Sequence, residues 1–71
     1  MKKLQQHEVR VCQEHIELAD KVSKLENFVN GDIFSNLQNV DRQLLLSQLR
    51  VMTEYLTILA ARIARFNSEN Y

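Results

Sequence analysis

LLSQLRVMTEYLTILAARIARF, residues 45–66, decides how the rest of the chain folds. Within it Leu45, Leu49, Met52, Leu56, Leu59, Ile63 and Phe66 recur at alternating spacings of four and three. That rhythm keeps one side of an α-helix apolar through three heptads, which is the seam of a left-handed helix pair. A second ladder runs alongside: Leu44, Val51 and Ile58 stand seven apart, with Gln48, Tyr55 and Arg62 between them. A pair of helices has one seam, and this helix offers two. The surplus apolar surface is expected to be buried against another copy, giving a homo-oligomeric helix bundle, a dimer or larger.

Upstream, residues 3–29 read as the partner helix. Leu4, Val11, Leu18 and Leu25 stand seven apart, and Glu8, His15, Val22 and Val29 fill the interleaved seam positions. Val9, Cys12, Ile16 and Ala19 form an additional stripe, so this half of the helix is expected to touch two neighbours. Leu44, Val51, Ile58, Val9, Cys12 and Ile16 are therefore the expected oligomer interface. Glu17 with Lys21 and Asp20 with Lys24 are favourable four-apart pairs on the outer face.

Asn30-Gly31 ends the first helix, and the single Gly is expected to take the left-handed conformation after it. The connection spans 30–39. Within it Asp32 caps a short helical turn over 32–37, whose Ile33, Phe34 and Leu37 plug the closed end. Asn39 or Asp41 caps the second long helix, residues 40–67. Each long helix spans roughly 40 Å at 1.5 Å per residue. The fold class is all-α: one domain, residues 1–71, an antiparallel helical hairpin with a short helical turn in its connection.

Composition narrows the function. Seventy-one residues with one cysteine leave no internal disulfide to staple so small a core. Nine basic and nine acidic residues give no net charge, which argues against wrapping duplex nucleic acid. No continuous apolar run approaches a membrane span, so no membrane partner is expected. Met-Lys-Lys is followed by Gln5, Gln6, His7 and Glu8 rather than an apolar signal region. A free thiol without a disulfide framework fits a reducing cytoplasm.

At Phe34 and Leu37, then Leu45, Gln48, Met52, Tyr55, Leu56, Ile58, Leu59 and Arg62, the sequence resembles a family of small bacteriophage proteins of the kind labelled crAss-phage-related. Leu25, Phe28 and Val29 match the Leu-x-x-Phe-[Ile/Val] run that ends the upstream helix in that family. The likeness covers roughly residues 18–66 and implies a phage origin and an accessory role. It implies no activity.

Glu8, Cys12 and His15 share a helical face at i, i+4 and i+7, but apolar residues of the second helix face them, so neither a metal nor a cofactor is expected. Nothing nearby supplies an oxyanion hole for a cysteine–histidine pair, and no catalytic residues are assigned. Gln48, Tyr55 and Arg62 make a polar ladder. Such residues either specify register and oligomeric state or line a pocket between subunits, Tyr55 stacking on a planar group while Arg62 pairs an anion. Charge is segregated along the hairpin. The open end gathers Lys2, Lys3, Arg10, Arg62 and Arg65 against Glu8 and Glu69, a balance of plus three, with His7, Phe66 and Tyr71 nearby. The closed end carries Glu17, Asp20, Glu26, Asp32 and Asp41 against Lys21, Lys24 and Arg42, a balance of minus two. This polarity either guides antiparallel assembly or forms an anion site.

The candidate ligand residues are Tyr55, Arg62, Arg65, Gln48, Arg10, Lys3 and His7. They point to a non-enzymatic phage accessory protein in the cytoplasm of the infected bacterial host. Its expected task is countering host defence by sequestering a cyclic or other nucleotide signal between subunits. The alternatives are an inhibitor or adaptor that binds a host protein through an apolar helical face, and a purely structural self-assembling subunit.

Overall fold

The computed structural model describes residues 3–68 of the chain. Three helices follow one another: α1 (Gln6–Val29), α2 (Asp32–Ser35) and α3 (Asn39–Ser68). The long helices α1 and α3 pack against each other as an antiparallel hairpin, and α2 closes the turn against α1. The result is a rod of 53 × 16 × 14 Å. Its radius of gyration, 16.1 Å, exceeds the roughly 11 Å of a compact chain this long. A rod has much surface for its volume, so much of the apolar area stays in contact with solvent.

The seam is the one the heptads specify. Leu45, Leu49, Met52, Leu56, Ile63 and Phe66 are half-buried and Leu59 is fully buried. They meet Val11 and Val22, both buried, and half-buried Leu4, His15, Leu18, Leu25 and Val29 from α1. Among the described apolar residues only Val11, Val22 and Leu59 are buried outright. That is a thin core for a domain with one free cysteine and, among its described residues, no group of His, Cys, Asp or Glu able to hold a metal.

Both helix starts follow local hydrogen bonding. α1 begins at Gln6 rather than residue 3, because the Glu8 carboxylate accepts the Gln5 backbone N–H at 2.8 Å and fixes the end there. α3 begins at Asn39, with the Gln38 carbonyl accepting the Arg42 N–H at 3.0 Å. Asn39 and Asp41 therefore lie inside the first turn rather than before it.

The closed end departs most from expectation. Gly31 has φ −102° and ψ 175°, an extended conformation open to any residue, not the left-handed one. Asn30 makes the left-handed step unnecessary. Its side-chain amide donates to the Glu26 carbonyl at 3.0 Å, and the Gly31 N–H donates to the Phe28 carbonyl at 3.1 Å. The α2 turn is shorter than 32–37, ending at Ser35. Phe34 and Leu37 turn inward, and Phe34 meets Phe28 edge-on at 6.4 Å between ring centroids. Ile33 instead points outward, 67% exposed. Arg42 ties the connection to α3 by donating to the Ser35 carbonyl at 3.1 Å.

The outer face carries the Lys24–Asp20 ion pair at 3.0 Å and an Arg50–Glu54 pair at 3.3 Å. Glu17 and Lys21, at the same spacing, form no ion pair among the described residues. Although no apolar run is continuous, α3 over Asn39–Phe66 is long and apolar enough by length and composition to cross a membrane, and almost none of that apolar stretch is buried. Its second apolar ladder, Leu44, Val51 and Ile58, faces outward.

Candidate functional site

The hairpin gives the seam two flanks, and a hydrogen bond identifies one of them. The Tyr55 hydroxyl on α3 donates to the Glu14 carboxylate on α1, so these two residues share a flank. Val51 and Ile58, four before and three after Tyr55, lie on it too. Val40 is 67% exposed, Leu44 64%, Val51 54% and Ile58 56%. The α1 residues expected to join them do not. Cys12 and Ile16 each stand about 200° around the α1 axis from Glu14, and Val9 about 140°, at 3.6 residues per turn. The expected interface is therefore two stripes on opposite flanks of the rod.

At the open end, Glu8, Arg62, Arg65 and Phe66 line a cleft of about 260 Å³. Glu8 is buried, held by its bond to the Gln5 N–H, while both guanidinium groups are exposed and Phe66 is half-buried. Two cations beside an aromatic edge can grip an anionic group and pack a planar one. A second cleft of about 250 Å³, lined by Glu14, Glu17, Leu18, Lys21 and Tyr55, lies midway along the Tyr55 flank. The Glu14 hydrogen bond raises the Tyr55 phenol above its ordinary value. Desolvation and the Glu14 charge add to this, and Arg62 opposes it.

The sequence-derived candidates thus separate. Arg62 and Arg65 come together. Lys3, His7 and Arg10 are exposed at the same end but do not line the cleft; Arg10 stands about 200° around α1 from Glu8. Gln48 is exposed and donates to the Met52 sulfur at 3.6 Å within its own helix. Tyr55 is engaged by Glu14 and lines the other cleft. Glu8 and Glu14 were not among the candidates. Glu8 reads as an interruption of the seam, and only the pairing of α1 with α3 shows it walling a cleft. Lys2, Glu69 and Tyr71 lie outside the described residues. No group of three or more His, Cys, Asp or Glu able to hold a metal occurs among the described residues, and Glu8, Cys12 and His15 form none.

The molecule is thus an all-α helical hairpin with a small cleft of two guanidinium groups, a carboxylate and an aromatic edge at its open end. The chain matches the Sequestin family over residues 5–65 and belongs to it. A sequestering or binding role fits that family's name. No curated protein and no solved structure matches the chain.

Proposed function

We propose that this member of the Sequestin family is a non-catalytic bacteriophage accessory protein that counters host defence by sequestering a nucleotide immune signal in the cytoplasm of the infected bacterium. The observation that carries this reading is the pairing of Arg62 and Arg65 beside Phe66 in one cleft. A phosphate takes the guanidinium groups, which bind it bidentately, and a base packs against the ring. The bacteriophage setting is supported by the sequence resemblance, and the sequestering role by the family.

Isothermal titration with cyclic di- and trinucleotides tests the reading. Saturable binding to at least one is expected. Arg62→Ala should weaken it roughly 10- to 150-fold, the equivalent of one charge-assisted contact of about 1.5–3 kcal/mol. A folded protein that gives no heat with any of these ligands rules the proposal out.

A further inference from the structure

The cleft at the open end is small. At about 260 Å³ it falls below the roughly 300 Å³ from which enclosed ligand pockets begin, so one copy contacts a nucleotide but does not surround it. The exposed ladder on the same helix suggests what completes it. Val40, Leu44, Val51 and Ile58 fall within an arc of about 40° on α3 at 3.6 residues per turn, all more than half exposed. Val51 lies midway between Leu44 and Ile58 in the chain. A line of residues symmetric about its own centre can face itself when one copy is turned end over end.

We propose that this flank of α3 docks a second copy of the chain, antiparallel about a two-fold axis at Val51, and that the partner's Val40 walls the open-end cleft beside Arg62. Such an interface is isologous: Leu44 meets the partner's Ile58, and Val51 meets its own counterpart. The register also keeps like charges apart: Arg62 comes opposite the partner's Val40, whereas a parallel pair in register would set Arg62 against its own counterpart. End charge favours the same choice, because the antiparallel pair lays the basic open end of one copy along the acidic closed end of the other. The thin core supplies the need: apolar surface on α3 is left outside, and a second copy covers it without burying Arg50 and Glu54, which pair on the outer surface. The closing of the cleft rests on the proposed nucleotide binding; the docking itself does not.

Cysteine cross-linking tests the register. In a Cys12→Ser background, Val51→Cys should form a disulfide-linked dimer on mild oxidation. Leu44→Cys and Ile58→Cys should each stay unlinked alone, because equivalent positions lie roughly 21 Å apart along the axis at 1.5 Å per residue, far beyond disulfide reach. Mixed together, the two should link. Self-linking of Leu44→Cys and of Ile58→Cys would mean a parallel pair, and linking only through Ile16→Cys would mean the opposite flank; either overturns the proposal. So does helical Val51→Cys protein that never links, with or without flotation on phosphatidylcholine vesicles. If Val51→Cys fails to fold, the mixture of Leu44→Cys with Ile58→Cys carries the same test, linking expected and its absence fatal. None of these reactions contains a nucleotide, so their failure is distinct from failure of the titration.

Discussion

Leu59 and Ile58 are neighbours in the chain, both apolar and both on a seven-residue ladder of α3, yet one is fully buried and the other 56% exposed. The difference lies in what each ladder meets. Leu59 belongs to the ladder that α1 answers with Val11 and Val22; the Ile58 ladder has no counterpart within the hairpin. Heptad spacing reports that a helix is built for neighbours. It does not report whether the neighbour is the same chain.

The largest effects should separate the two ladders. Leu59→Ala removes the only fully buried large side chain among the described residues and should cost about 2–5 kcal/mol, seen as a lower melting temperature at every protein concentration. Ile58→Asp places a charge on the exposed ladder. It should halve the mass measured by light scattering and remove the dependence of melting temperature on concentration that a dimer shows. Unchanged mass for Ile58→Asp would erase the distinction between the ladders.

The seam was legible because burial on a helix pair depends on little beyond period. All seven α3 positions read from the spacing are buried or half-buried. The closed end was less legible because several local solutions compete there. Gly suggests a left-handed residue, but the Asn30 side chain closes the helix onto Glu26 first and lets Gly31 stay extended. The basic end was readable from charge alone, whereas membership of the cleft was not. Glu8 and Glu14 acquire their roles from the register of α1 against α3, a relation between distant segments that neither segment states by itself. The same holds for the flanks: the spacings yield both apolar stripes, but only the Tyr55–Glu14 bond shows that they face apart.

A smaller effect concerns the connection between the ladders. A Cβ built on Gly31 would lie 3.4 Å from the Phe28 carbonyl oxygen, an ordinary contact, and its backbone is not left-handed. Gly31→Ala should therefore change stability by no more than about 0.5 kcal/mol. The poorer fit of Ala than of Gly at the α2 N-cap and the gain from restricting the unfolded chain nearly cancel. Chemical denaturation measures it, and a loss of about 1–2 kcal/mol would instead indicate a left-handed requirement.

The smallest effect sits on the border between the ladders, at Tyr55. Its phenol titrates above the ordinary tyrosine value, first because the hydroxyl donates to Glu14, then through desolvation and the Glu14 charge. A raised folded value means the folded protein holds this proton more tightly than the unfolded chain. The contribution to stability is complete below the unfolded value near 10 and disappears as pH rises through the folded one. In Tyr71→Phe protein, which retains Tyr55 as its one tyrosine, the phenolate absorbance should rise later than in a free tyrosine, and Glu14→Gln should move it back. Melting curves of the parent and of Tyr55→Phe should differ slightly near neutrality and converge in strong alkali. A gap that widens with pH would mean that Glu14 does not receive this proton donor, and that the flank on which the second copy is placed has been drawn from the wrong contact.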